Sequence, residues 1–563
     1  MSLLARLAFA LVLTFAAPAA ALAKEAAPAA VLEAGAVASP DRYGAEAARE
    51  VLKAGGNAVD AAVATAFALA VTYPEAGNLG GGGFMTLYVD GKPYFLDYRE
   101  RAPAAATPGM YLDDKGEVIE GLSIVGNLAV GVPGTVRGLA EAHARFGRLK
   151  WERVLAPAIR LARKGFVVSP QLIEVRDGSQ AAFSDTNFAR YFAGMRAGET
   201  FRQPELAATL QRIAKDGPDE FYTGQTADLL VAQMARGPRP GLITRSDLSA
   251  YRAVWRDPIV ARWNGFDVIT APPPSSGGTA LLQLLTMKAE AAPLFEGVAL
   301  NSPRYIHLVA EIEKRVFADR AQYLGDPDFV TVPTARLLDP AYIARRAGEI
   351  DPKRPSRLGA VKPGLPKEKP QTTHFSIVDR WGNAVSNTYT LNGWYGAGVV
   401  VEGAGFLLND EMDDFSAKPG APNMYGVVGG DANAIAPFKR PLSSMTPTIL
   451  VKDGLPAMVL GTPGGSRIFT SVFQVLANVY DFDLPLDQAV AAMRFHHQLL
   501  PENTIFFEPY AMARADLGRG LLAQGYRVET QDFNGDIEAV QVLGRTPVVA
   551  PDPRARGYGL IVP

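Results

Sequence analysis

The sequence predicts an α+β fold with helices packed on strands in both halves of the chain. Two observations carry this reading. Between residues 43 and 98, Ala and Leu first recur at helical spacing and then give way to apolar–polar alternation. Both patterns return after residue 371, alternation first and helices later. A third observation is that no segment repeats at a fixed period, so a repeat architecture is not indicated.

The elements follow in order. MSLLAR sets Arg6 before the apolar LAFALVLTFAAPAAALA, which closes on Ala21-Leu22-Ala23, a small-x-small cleavage pattern. The apolar core, Leu7 to Phe15, is shorter than the roughly 20 residues a bilayer needs. Residues 1–23 therefore read as a signal peptide cut near Ala23–Lys24. The expected product is periplasmic or secreted, of bacterial type, with no membrane span. YGAEAAREVLKAGGNAVDAAVATAFALAV reads as two helices broken at Gly55-Gly56, with Asn57 capping the second. MTLYVD and PYFLDY read as strands joined by a glycine turn. Residues 130–260 read as helical runs with short loops, and 266–360 as a strand (FDVIT), a loop (APPPSSGG) and helices.

Residues 359–371, GAVKPGLPKEKPQ, form the sharpest break. Three prolines and three lysines in thirteen residues predict an exposed, non-helical linker. Beyond it, TTHFSIVD, the turn RWGN and AVSNTYTL predict a β-hairpin. TPTILVKDG and LPAMVLGT predict further strands, and Arg467 to Phe495 predicts helices.

Composition narrows the function. A chain of 563 residues, 48% hydrophobic, supports a sizeable core, and length alone suggests two to four domains. A net charge of -2 with no dense basic run gives no attraction for nucleic acid or anionic membrane. The absence of cysteine excludes disulfides, thiolate catalysis and Cys–zinc sites.

The linker raises a chemical possibility. A threonine hydroxyl is a weak nucleophile unless a base adjoins it, and its own α-amine can serve if the threonine heads a chain. Scission between Gln371 and Thr372 creates that situation: an accessible segment precedes the bond and a rigid strand follows it. The alternative is an ordinary Thr-rich strand behind a loop. Clusters at Asn78–Gly83, Pro274–Gly278, Pro441–Met445 and Gly461–Ser466 either bring backbone N–H groups close to a ligand, as an oxyanion hole requires, or are tight turns.

Taken together, TTHFSIVD, TYTLN, LLNDEMDDFS, PNMYGVVGGDANAI, KRPLSSMTPTI, TPGGSRI and RFHHQ, all in order, resemble the γ-glutamyltranspeptidase family of N-terminal-nucleophile hydrolases. NLGGGGF and DYRERAP add to the likeness, which spans residues 32 to 560. The resemblance implies a four-layer αββα sandwich, formed jointly by a large subunit (24–371) and a small one (372–563) after self-cleavage. It implies Thr372 as nucleophile with its freed amine as base, Thr390 hydrogen-bonded to it, and Gly464 and Gly465 as the oxyanion-hole backbone. It places a donor α-carboxylate on Arg99, Ser443 and Ser444, matching the bidentate geometry such a group prefers. It places the α-ammonium on Asn392, Glu411 and Asp414, where Glu411 stands at a position that carries glutamine or glutamate in the family. Taken alone, Asp413 and Asp414 read as a solvated acidic turn. Tyr425 tips an implied lid over residues 419–435, which favours small donors such as glutathione over a polymer.

The implied activity is γ-glutamyl transfer to water, amino acids or dipeptides, with no metal or organic cofactor. A glutaryl-cephalosporin acylase, a non-catalytic binding protein and a poly-γ-glutamate-processing relative are the rival readings. His496-His497 lacks a third ligand motif and reads as structural. His374, two residues past Thr372, shares its face as a supporting group. His143 and His307 fall in helical patterns.

Overall fold

The computed structural model describes residues 31–357, 372–418, 421, 423–424, 429–508, 515–531 and 535–563. The signal peptide, the 359–371 linker with Gln371, and Tyr425 lie outside the described residues.

Two antiparallel sheets face each other. In the first, the strand order is Tyr558–Val562, Gly35–Ser39, Thr373–Val378, Ala384–Thr390, Gly82–Val89, Lys92–Asp97 and Val254–Arg256. In the second it is Thr546–Pro551, Glu538–Leu543, Leu455–Gly461, Thr448–Lys452, Phe266–Thr270 and Ile259–Trp263. The side-chain period of two sorts each strand between two cores. Ala36, Ala38, Val378 and Ala384 pack inward with Ile449, Val459 and Val540 of the opposite sheet. Their neighbours Val37, Ile377 and Val385 turn outward, onto the alanine-rich helices Arg42–Lys53 and Ala58–Thr72. On the far side, Val268, Leu450, Met458 and Ala539 pack under the helices Gly277–Glu290, Pro303–Tyr323 and Ile468–Tyr480. The layers are thus α, β, β and α.

Both sheets take strands from either side of position 371. The expectation of two to four domains from length gives way to one sandwich. Asn57 caps its helix as predicted. Its side chain accepts from the Val59 and Asp60 amides, and Asp60 accepts from the Asn57 amide in return at 2.9 Å.

The sequence reading needs correction at several strands. Val254–Arg256 lies in the run read as helical, Ile259–Trp263 starts at its end, and Phe495–His496 is a short strand at the end of another. Gly35–Ser39 and the three C-terminal strands Glu538–Leu543, Thr546–Pro551 and Tyr558–Val562 were not foreseen. Gly35–Ser39 is buried throughout and shows no polar alternation.

Candidate active site

Thr372 stands at the head of the Thr373–Val378 strand. The register that sets Tyr389 opposite Thr373 carries Thr390 to the Thr372 side, and the two hydroxyls are 3.4 Å apart. Thr390 Oγ1 also accepts from the Asn392 amide at 2.8 Å. That turn needs Asn392 at φ 74, a left-handed conformation asparagine tolerates. Close packing holds the hairpin from behind. A Cβ on Gly81 would lie 2.0 Å from the Thr390 carbonyl oxygen, and one on Gly80 would lie 2.1 Å from that of Leu407. The NLGGGGF glycines therefore serve neither a turn nor an oxyanion hole: they let backbones touch.

His374 lies on the Thr372 face, as expected. Its Nδ1 meets the Thr388 hydroxyl at 2.8 Å and its Nε2 the Ser376 hydroxyl at 3.0 Å. Burial lowers its pKa to about 3, so the ring is neutral at working pH. It braces the hairpin.

Arg99 follows the Lys92–Asp97 strand and is fully buried. Its guanidinium bonds Glu411 and, at 2.5 Å, Asp414, while Nε donates to the Pro441 carbonyl at 3.3 Å. Glu100, which the sequence reading passed over, brings a third carboxylate to 3.6 Å from the same guanidinium. Both Glu100 oxygens and Glu411 Oε2 are buried without a hydrogen-bond partner. Burial pushes Glu411 up and Glu100 to about 7, with Arg99 opposing both. Glu100 and Glu411, both fully buried beside the same guanidinium, are the acids that favour keeping a proton.

Asn392 Nδ2 donates to the Asp410 carbonyl at 3.0 Å. Asp413 corrects the solvated-turn reading. It is buried, accepts from the Ser123 hydroxyl at 2.6 Å and the Met424 amide at 2.8 Å, and is pushed by burial to about 7. Asn423 Nδ2 donates to Asp414 at 3.0 Å. Asn423 and Met424 of the implied lid are thus fastened to Asp414 and Asp413.

Ser443 and Ser444 follow Pro441 and Leu442, whose carbonyls accept from Arg99, and line the same pocket. The Pro274–Gly278 cluster staples them in place: Ser275 donates to the Met445 carbonyl at 2.6 Å and Ser276 to that of Ser443 at 2.7 Å. Arg320, also missed, reaches Ser276 Oγ at 3.0 Å and Ser444 Oγ at 3.1 Å. Its signal was weak because it sits in a charged helix with many exposed-looking neighbours. Gly464 and Gly465 adopt φ of 140 and 54, conformations that favour glycine, just ahead of the Ile468–Tyr480 helix. The amides of such a helix entry favour negative charge. Thr372, Thr390, Asn392, Arg99, Glu411, Asp414, Ser443, Ser444 and Gly465 line one pocket, together with Arg320. Gly464 lies one residue behind that lining.

The remaining histidines are internal. His496 meets the Thr470 hydroxyl and Gln498, both at 3.0 Å, and His497 Nδ1 donates to the Thr504 carbonyl at 2.7 Å. Among the described residues no group of three His, Asp or Glu side chains is arranged to hold a metal ion. His143 and His307 lie on helices, as read.

A hydroxyl pair at a strand head, a helix entry and a pocket with both signs of charge suit acyl transfer from a zwitterionic donor. Comparison with known proteins agrees. A sequence model of the Gamma-glutamyltranspeptidase family matches residues 44–562. The glutathione hydrolase proenzyme of Pseudomonas aeruginosa is 63% identical over 544 residues, covering 96% of this chain and 97% of the relative. That of Escherichia coli is 44% identical over 517 residues, covering 90% and 88%. Among solved structures, a γ-glutamyltranspeptidase from Pseudomonas nitroreducens complexed with L-DON is 63% identical. It aligns with a TM-score of 0.57 over 58% of this chain and 97% of its own. A cephalosporin acylase from Bacillus halodurans, 26% identical, aligns with a TM-score of 0.78 over 97% and 99%. The pocket, the αββα layers and these likenesses lead to one conclusion: the chain belongs to the gamma-glutamyltranspeptidase family and is an enzyme of acyl hydrolysis and transfer.

Proposed function

We propose that this enzyme cleaves itself between Gln371 and Thr372 and then transfers the γ-glutamyl group of glutathione and other small γ-glutamyl amides. The observation that carries the reading is the pocket that the Thr372–Thr390 hydroxyl pair shares with Arg99, Glu411, Asp414, Ser443 and Ser444. Cleavage gives a large subunit, 24–371, and a small one, 372–563, which stay together as a heterodimer. Thr372 Oγ1 attacks the γ-carbonyl carbon and passes its proton to the new α-amine of Thr372. The Gly464 and Gly465 amides receive the oxyanion. Collapse breaks the amide, and the leaving amine takes up the proton. Water, or the amine of an amino acid or dipeptide, then attacks the γ-glutamyl ester and restores the hydroxyl.

The donor α-carboxylate lies on Arg99, Ser443 and Ser444, and its α-ammonium on Asn392, Glu411 and Asp414. A glutaryl donor has no ammonium to occupy those acids, which favours γ-glutamyl over glutaryl substrates. The N-terminal segment directs export to the periplasm or to secretion, and no described helix is long and apolar enough to cross a membrane.

Intact-mass measurement of denatured wild type and Thr372→Ala tests the core of the reading. Wild type should give two fragments split after Gln371, and the variant one chain with no activity on γ-glutamyl anilide. A single uncut chain in both refutes it.

A further inference from the structure

The pocket contains a second arginine, and its surroundings differ from those of several other guanidiniums in the fold. Arg99 rests on Glu411 and Asp414, Arg494 on Asp552 at 2.6 Å, and Arg556 on Glu75. Arg320 is as deeply placed, yet its described partners are two hydroxyls, Ser276 and Ser444. A buried cation without a carboxylate is costly. Asp414 acts on it only from further off, and burial lowers it to about 10, so it stays charged at neutral pH.

The two serines are not equivalent. Ser276 accepts from Arg320 Nε and gives its own proton to the Ser443 carbonyl at 2.7 Å, so its donor capacity is committed. Ser444 Oγ accepts from Arg320 Nη2. Accepting there leaves the Ser444 proton available for donation, and Ser444 lines the pocket. Arg320 is itself held firmly. It lies in the last turn of Pro303–Tyr323, where the adjacent Asp319 accepts from Gln283 at 2.9 Å and from Tyr342 at 2.8 Å.

We infer that Arg320 is a positioning and specificity residue of the donor pocket: it fixes the Ser444 hydroxyl as a hydrogen-bond donor and supplies a positive charge that an anionic donor group neutralises. This rests on the reading that the donor α-carboxylate lies at Ser443 and Ser444.

The test compares two donors on the self-processed enzyme: γ-glutamyl-p-nitroanilide and its analogue with an α-carboxamide in place of the α-carboxylate. Arg320→Gln should raise KM for the carboxylate donor about tenfold or more, as expected for loss of a charge-assisted contact, with kcat little changed. KM for the carboxamide should hardly move. Arg320→Lys keeps the charge without the two-hydroxyl fork and should fall between. Combined with Ser444→Ala, Arg320→Gln should cost less than it does alone. Equal losses on both donors, or full additivity with Ser444→Ala, overturn the proposal. Should Ser444→Ala leave donor discrimination untouched while Arg320→Gln abolishes it, the placement of the carboxylate on Ser444 fails and the serine-fixing role with it. Should Arg320→Gln remain a single chain, Arg320→Lys supplies the same comparison.

Discussion

Thr390 is the group whose removal separates chemistry from binding. Its hydroxyl sits 3.4 Å from that of Thr372 and is itself oriented by the Asn392 amide. Thr390→Val keeps the shape and loses the polar contact. The expected result is a fall of about a hundredfold in kcat, the lower end of what a positioned proton-handling group contributes, with KM little altered. Thr390→Ser should recover most of it; an unchanged kcat in the valine variant would exclude the hydroxyl from the mechanism. The buried histidines act on stability. His374 and His497 have folded-state pKa values near 3 and 4, below the unfolded value of about 6.5. The unfolded chain binds protons that the fold refuses, so their contribution is complete above pH about 6.5 and declines as pH falls towards 4. His497→Asn retains a donor for the Thr504 carbonyl and should narrow the loss of Tm between pH 7.5 and 5. An identical loss in both proteins would refute the assignment. At this scale the sequence pointed to Thr372, Ser443, Ser444, Glu411 and Asp414, which line one pocket, because each lies in a dense local motif. It hid Glu100 and Arg320. Their roles arise from burial beside residues some 310 and 124 positions away, which no local pattern displays.

Elements were more legible than residues where a periodicity was clean. The hairpin at 373–390, the two N-terminal helices and the Phe266–Thr270 strand appear where alternation or helical spacing placed them. Gly35–Ser39 escaped because a strand buried on both faces shows no period of two. The strand Gly82–Val89 depends on its leading glycines for contact rather than for turning. Gly81→Ala would drive a methyl group to 2.0 Å from the Thr390 carbonyl oxygen, backbone that cannot rotate away. The expected cost is about 1–3 kcal/mol of stability, read from denaturant unfolding, together with slower self-cleavage because the Thr390 hydroxyl shifts with its carbonyl. Wild-type stability in this variant would show that the hairpin can retreat from Gly81.

On the scale of the whole molecule, position 371 is a boundary in the sequence but not in the fold. Each sheet takes strands from both sides of it, interleaved in the first, and the core between the sheets draws on both as well. The cleaved pieces should therefore co-elute as one particle of uncut size under native conditions and part only in denaturant. Separation in mild buffer would contradict the shared sheets. The sequence could not reveal this, because strand order is a property of the packed sandwich. The same sheet carries a topological consequence. Gly35 pairs with Val562, and the Gly35–Ser39 strand also pairs with Thr373–Val378. The first and last described strands are thus laced together beside Thr372, and the circuit between them is nearly closed. A gene rewired to open at Thr372, with the old ends spliced by a short linker, would encode the same sandwich through a different path. Such a circular permutant would carry its threonine amine from birth, once the initiator methionine is trimmed, and would need no scission to become an enzyme.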